Sequence, residues 1–177
     1  MSCLMEYKVS LDNTSKAVTT FVVIICATLA YLILSTSFRQ PGIWSPILGS
    51  FFGIVFPCAV LFGPYYFKPL KYIVSENKII VKRLFKDVII EVGQIKKISL
   101  VQRETMKNTL RAMGNGGVFG YYGKFRNPVF GDMRWYATRT DNFVVIETED
   151  SEKIVLTPDD TELVKRVKGM LKTDNGS

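Results

Sequence analysis

Two long runs without a charged residue follow one another near the start of the chain, and they constrain its fold more than any other feature. Neither residues 17–38 nor residues 40–67 contain Asp, Glu, Lys or Arg, so Arg39 alone separates the runs. A helix needs roughly 20 apolar residues to cross a hydrocarbon core of about 30 Å. Each run is long enough, so the sequence predicts a two-helix transmembrane hairpin at residues 17–67.

The first run also has features of a cleaved signal peptide, and this alternative stays open. Small residues at 35–37 offer a cleavage site. However, the run is longer than a typical signal core, and Glu6 and Asp12 lie among the basic residues before it. These features favour a retained membrane span.

Basic residues at the ends of the runs predict the orientation of the hairpin. The short connection, about Arg39–Gly42, carries one positive charge and the turn signal Pro41–Gly42. Because positive residues near span ends prefer the cytoplasm, both termini are predicted to be cytoplasmic. The basic residues that follow the second run are Lys68, Lys71, Lys78, Lys82, Arg83 and Lys86.

The second run contains Gly49 and Gly53, a GxxxG pair that allows close helix packing. One interpretation is dimerisation through this pair, which leaves a homo-oligomer open. The other is packing against the first run, where Cys26 and Ala30 are also small and four residues apart. We favour the second interpretation because the two runs are already tethered.

The residue types that are missing limit the chemistry of this chain. It has no His, and its cysteines, Cys3, Cys26 and Cys58, form no CxxC pair. A Ser-His-Asp triad and a His-containing zinc site are therefore excluded. We predict no catalytic residue, no metal site and no cofactor, and we expect that the protein is not an enzyme.

The chain beyond residue 67 alternates polar and apolar residues in short segments separated by turn signals. Strands every 8–12 residues indicate an antiparallel barrel or sandwich. A hairpin is predicted around Asp141–Asn142. The predicted strands cover residues 72–75, 79–83, 88–92, 95–105, 134–138, 143–148 and 153–156.

The end of the chain has a helical pattern instead. Thr157 is a candidate N-cap, Pro158 suits the first helical position and Asp160 suits a capping box. We predict a helix over about 158–171, which makes the fold class α+β. Its apolar stripe consists of Leu163, Val164, Val167, Met170 and Leu171.

A glycine-rich segment at 114–123 is a candidate interaction loop. It matches neither the GxxxxGK[ST] nor the GxGxxG phosphate loop. Two interpretations stay open: the glycines permit tight bends, or the segment contacts a ligand or partner. The residues of this candidate site are Gly114, Gly116, Gly117, Gly120, Gly123, Lys124 and Arg126.

The net charge of +7 arises almost entirely after residue 67. A basic domain beside a bilayer is attracted to anionic headgroups. Nucleic acid is the other usual partner of a basic domain, but membrane tethering and the lack of a nucleic-acid motif argue against it. The candidate headgroup contacts are Lys68, Lys71, Lys82 and Arg83.

The segment before the first run has a short strand pattern. Tyr7, Val9 and Leu11 alternate with polar residues. We predict that residues 6–11 add an edge strand to the domain after the membrane. The alternative is a frayed tail.

The order of many strands and one final helix resembles the pleckstrin-homology (PH)-like fold. Lys71–Val74 and Ile79–Arg83 look like the opening hairpin of bacterial membrane-associated PH-like proteins. Gly114–Phe125, Trp135–Thr138 and Thr157–Asp160 are also similar to that family. The resemblance implies binding or scaffolding at a membrane and brings no catalytic residues.

These predictions combine into three segments. Residues 1–16 are a cytoplasmic N-terminal segment, 17–67 a two-span hairpin and 68–177 a cytoplasmic PH-like domain. The predicted function is a non-catalytic interaction or scaffold module in a bacterial inner membrane, with lipids and an unknown protein as partners. Alternatives are an accessory subunit of a larger membrane complex and an enzyme acting at the lipid surface.

Overall fold

The computed structural model describes residues 4–39, 42 and 44–174. Cys3 and Pro41 lie outside the described residues. The turn predicted at Pro41–Gly42 is therefore not described in full. Within the described residues, two apolar helices come near the start and ten strands form two sheets. A short helix and a longer C-terminal helix complete the chain.

The apolar runs form helices that are long and apolar enough to cross a membrane. The first is α1 (Asn13–Ser37). The second, Trp44–Phe67, consists of α2 (Trp44–Ser50), a π-helical turn (Phe51–Val55) and α3 (Phe56–Phe67). Most of their apolar side chains face outward, which suits contact with lipid rather than with water.

The π-helical turn coincides with a proline. Pro57 has no N–H, and its ring would clash with the carbonyl group of Gly53 in a regular α-helix. A wider turn at this point lets the helix continue past the proline.

The strands form a sandwich of two sheets rather than a closed barrel. The four-stranded sheet has the order β1-β2-β3-β4, and the six-stranded sheet has the order β5-β9-β10-β8-β7-β6. The first sheet contains β1 (Met5–Lys8), β2 (Pro69–Val74), β3 (Lys78–Arg83) and β4 (Val88–Glu91). The second contains β5 (Ile95–Val101), β6 (Leu110–Gly117), β7 (Gly120–Asn127), β8 (Gly131–Ala137), β9 (Phe143–Thr148) and β10 (Lys153–Leu156).

Two hydrophobic clusters stabilise the sandwich. The larger lies between the sheets and includes Tyr72, Ile146 and, from the C-terminal helix α5 (Glu162–Asp174), Val167. The Tyr72 hydroxyl donates to the carbonyl oxygen of Tyr136 (2.5 Å) and accepts from the N–H of Thr157 (3.1 Å). The smaller cluster covers the other face of the second sheet, under the short helix α4 (Arg103–Met106).

The segment before the two apolar helices is part of the first sheet. Its strand β1 pairs antiparallel with β2, and Tyr7 is buried in the larger cluster. The strand lies at Met5–Lys8 rather than at the predicted 6–11. The division of the chain at residues 16 and 67 stays a prediction.

The predicted β8–β9 hairpin is wrong. Strand β10 lies between β8 and β9 and is parallel to β8, so the domain is not purely antiparallel. Ile154, Val155 and Leu156 are all buried, which means that both faces of β10 are apolar. A strand of this kind requires a central position in a sheet.

Two predicted boundaries are also wrong. The strand expected to reach residue 105 ends at Val101, because α4 turns the chain and buries Met106. The C-terminal helix begins at Glu162 rather than at Pro158. The Thr157 hydroxyl accepts from the N–H of Thr138 and is not available as a cap, whereas Asp160 accepts from the N–H of Glu162 (2.8 Å).

Candidate membrane-proximal site

The glycine-rich segment is a β-hairpin rather than a loop. Strands β6 and β7 pair in a register that places Gly114 opposite Gly123 and Gly117 opposite Gly120. All four have φ between 121° and 129°, which L side chains rarely adopt. Asn115 closes the turn by donating to the carbonyl oxygens of Val118 and Gly120. These four glycines therefore have a conformational role. Contact of the segment with a ligand or partner stays a prediction.

The tip of this hairpin contacts both apolar helices. The Phe119 N–H donates to Thr19 Oγ1 on α1 (2.9 Å), and the Phe119 ring meets Tyr65 on α3 edge-on, with ring centroids 5.4 Å apart. Lys68 Nζ lies 4.3 Å from the Tyr65 ring centroid, and burial lowers the pKa of Lys68. The tip thus lies where both helices join the sheets.

A polar network joins the start of α1 to the sheets. Asp12 caps α1 by accepting from the Ser15 N–H (2.7 Å), and its second oxygen accepts from the N–H (3.1 Å) and hydroxyl (2.9 Å) of Thr140. Asp159 accepts from the N–H and hydroxyl of Ser10 and from Arg139. Burial raises the pKa of Asp159, but these hydrogen bonds outweigh it and hold the pKa below its ordinary value. The first span is therefore fixed to the domain by side chains as well as by the backbone.

The β3–β4 turn makes a further contact with the second span. The Phe85 N–H donates to the carbonyl oxygen of Tyr66 (3.3 Å), and the Phe85 ring lies 5.5 Å from that of Phe67. Leu84 and Phe85 remain largely exposed. This turn presents an apolar surface at the level where α3 ends.

The structure separates the predicted headgroup contacts. Lys68 lies at the end of α3, and the Arg83 guanidinium lies 5.4 Å from the ring centroid of Tyr136. Lys71 pairs with Glu6 and Lys82 with Asp87, each at 2.6 Å. The structure brings Lys68 to the glycine hairpin tip, while Lys71 and Lys82 have carboxylate partners.

The two basic residues of the predicted interaction loop lie away from the hairpin tip. Lys124 and Arg126 are exposed on β7. Arg126 makes a bidentate pair with Asp132, with distances of 2.6 and 3.0 Å. Lys124 directly follows Gly123, whereas Arg126 pairs with Leu110 at the far end of the hairpin, so the predicted residues are spread along β7.

Gly49 and Gly53 face the first span. A Cβ atom on Gly49 would lie 2.0 Å from Ser37 Oγ, and one on Gly53 would lie 3.1 Å from Leu34 Cγ. Gly49 thus contacts Ser37, and Gly53 contacts Leu34 and also the predicted partner Ala30, whose carbonyl oxygen would lie 3.5 Å from the added Cβ atom.

Sequence reasoning missed a cavity of about 340 Å³ beside α4. Its rim carries Arg103, Lys107 and Arg111, and its lining includes four aromatic side chains. The three cations are spaced four residues apart, but they fall where a strand and unassigned chain were expected. This regular spacing was the only signal in the sequence, and it was too short to define a helix.

The described residues contain no group of three Cys, Asp or Glu that would hold a metal ion. The absence of a cofactor stays a prediction. The arrangement is suited to binding. It offers a cavity with cationic and aromatic side chains, a hairpin tip and an apolar turn, all on or near the side of the domain that the apolar helices join.

A family model described as a bacterial PH domain matches residues 70–169, more than half of the chain. The chain belongs to the bacterial PH domain family. Comparisons with curated proteins and with solved structures gave no match. The PH domain match begins inside β2, so the strand β1 that completes the first sheet lies outside it, on the other side of the helix pair.

Proposed function

We propose that this protein is a non-catalytic interaction or scaffold module at the cytoplasmic face of a bacterial inner membrane. The observation that carries the proposal is that the helix pair is inserted into the PH domain sheet. β1 ends five residues before α1 begins, and β2 begins two residues after α3 ends. The domain is thereby held against the bilayer with a defined face toward it.

The inserted helix pair also supports the proposed topology. Because β1 and β2 are hydrogen-bonded neighbours, both ends of the pair lie on one side. The basic flank after the second span favours the cytoplasm for that side.

We expect a reporter that is active only in the cytoplasm to be active when fused after Ser177. The same reporter inserted at Gly42, between the spans, should be inactive, while an exported reporter should behave in the opposite way. Activity of the exported reporter at the C-terminal position would contradict the topology.

The interaction function is tested by exchanging the spans. The helix pair is replaced by an unrelated hairpin that retains Val18, Thr19 and Tyr65, so that the contacts with the hairpin tip persist. Both proteins are purified from membranes, and copurifying proteins and lipids are quantified. We expect the same partners with both, because the PH domain is proposed to bind them.

Loss of all partners on exchange would instead favour an accessory subunit that assembles through its spans. The absence of any enriched protein or lipid with either version would contradict an interaction module. An enzyme acting at the lipid surface remains the third proposal. No set of catalytic side chains among the described residues supports it.

A further inference from the structure

We propose that the cavity beside α4 binds the headgroup of an anionic lipid, with the adjoining apolar part of the lipid against its aromatic floor. The cavity holds about 340 Å³, within the range of sites for small ligands. The proposal extends the proposed membrane anchoring by naming a ligand class and a site. This site differs from the headgroup contacts predicted on the first sheet.

The rim of the cavity carries unneutralised positive charge. The side chains of Arg103, Lys107 and Arg111 form no ion pair with any carboxylate that the structure describes. Five other cations of the domain have such partners: Lys71, Lys82, Arg126, Arg134 and Arg139. Three cations at one rim without an acidic partner favour a phosphate-type anion, which accepts charge-assisted hydrogen bonds.

The floor of the cavity is aromatic and contains an unused donor. Trp135 stacks on Phe125 with ring centroids 4.6 Å apart and meets Phe143 at 5.3 Å. Trp135 is 5% exposed, and its buried Nε1 has no hydrogen-bond partner among the described residues. This donor is enclosed by protein atoms, so a ligand in the cavity would meet the ring faces of the floor, which offer apolar contact area.

The cavity lies beside the start of the first span. Its lining residue Thr140 donates to Asp12, which caps α1 by accepting from the Ser15 N–H. The cavity also approaches α1 through Gly116. The next residue, Gly117, packs against Val18 of α1, and a Cβ atom added to Gly117 would lie 3.2 Å from Val18. Because the uncharged run begins at residue 17, this level corresponds to the headgroup region of a bilayer that α1 crosses. An anion with an apolar tail is available there at high local concentration.

The chain provides its own probe for this site. It contains only two tryptophans, Trp44 at the start of the second span and Trp135 in the cavity. In a Trp44→Phe background, fluorescence therefore reports on Trp135 alone. The full chain in an uncharged detergent is titrated with short-chain phosphatidylglycerol, short-chain phosphatidylcholine and glycerol 3-phosphate.

We expect a saturable change in Trp135 fluorescence with phosphatidylglycerol. The affinity derived from it should be at least tenfold weaker in the variant Arg103→Gln/Arg111→Gln. The control Lys165→Gln/Lys168→Gln removes the same charge from exposed positions of α5 and should bind as the parent does. An equal response to phosphatidylcholine would contradict the requirement for an anionic headgroup. Equal affinity for glycerol 3-phosphate would contradict the proposal that the ligand is a lipid. Equal weakening in the control, or no saturable change, would overturn the site itself.

The outcome is separable from that of the proposed function. Membrane fractionation and the topology reporters are repeated with the two double variants. Failure of lipid binding in a protein that remains in the membrane contradicts only the site. A protein that is absent from the membrane contradicts the anchoring, whatever the titration in detergent shows.

Discussion

Val167→Asp is expected to destabilise the PH domain by about 3–5 kcal/mol. Val167 is fully buried in the cluster between α5 and the sheets, so its replacement places an unpaired carboxylate in an apolar environment. A loss of this size is a large share of the 5–15 kcal/mol that stabilises a typical domain. Thermal unfolding of the full chain in detergent, followed by near-ultraviolet circular dichroism, measures the loss.

Lys168→Asp is the matched control, because the neighbouring side chain is exposed on the same helix. It should change stability by no more than about 0.5 kcal/mol. Equal melting temperatures for Val167→Asp and the parent protein would mean that α5 does not pack on the sheets.

Gly114→Ala is expected to destabilise the domain by about 3 kcal/mol or more. Gly114 has φ of +129°, and a Cβ atom there would lie 2.2 Å from the carbonyl oxygen of Tyr122 and 2.8 Å from Gly123 Cα. Backbone strain alone costs about 1–3 kcal/mol, and the contact is with backbone atoms that have no rotamer to change. Chemical denaturation of the full chain measures the effect.

Gly116→Ala provides the comparison within the same strand. Gly116 lies outside the positive-φ set, and its added Cβ atom would meet only the flexible end of Arg111, at 3.2 Å. We expect a change of less than about 1 kcal/mol, in keeping with a site free of backbone strain. Similar stability losses for both variants would rule out the paired-glycine hairpin.

The features that the sequence predicted correctly are encoded locally. The two long apolar helices follow from the length of the uncharged runs, and α5 follows from the spacing of apolar residues such as Leu163 and Val167. The alternation around Tyr7 was sufficient to indicate β1. Each of these patterns lies within one continuous segment of the chain.

The features that were missed depend on contacts between distant residues. β10 lies between β8 and β9 because it is apolar on both faces and is buried in the middle of the sheet. The turn residues between β8 and β9 predict a hairpin and carry no information about β10. The strands β6 and β7 were hidden because glycine has low strand propensity, although cross-strand glycine pairs allow their close approach. The cavity was missed because α4 is only four residues long.

The joint between span and domain was also missed, for a different reason. Asp12 and Thr140 are hydrogen-bonded but lie 128 positions apart, and each is an ordinary turn residue in its own segment. Neither residue carries a pattern that marks the other as its partner. Only the assembled structure shows that the cap of α1 also binds the β8–β9 connection.

The pairing of β1 with β2 has a consequence for how the chain is made. β1 is synthesised before its hydrogen-bonding partner β2, and both apolar helices lie between them in the chain, so this edge of the sheet forms only after the helix pair has been made. A chain without β1 leaves one edge of β2 unpaired and the larger cluster without Tyr7. An unpaired strand edge can pair with another chain, so β1 protects the first sheet from aggregation at this edge.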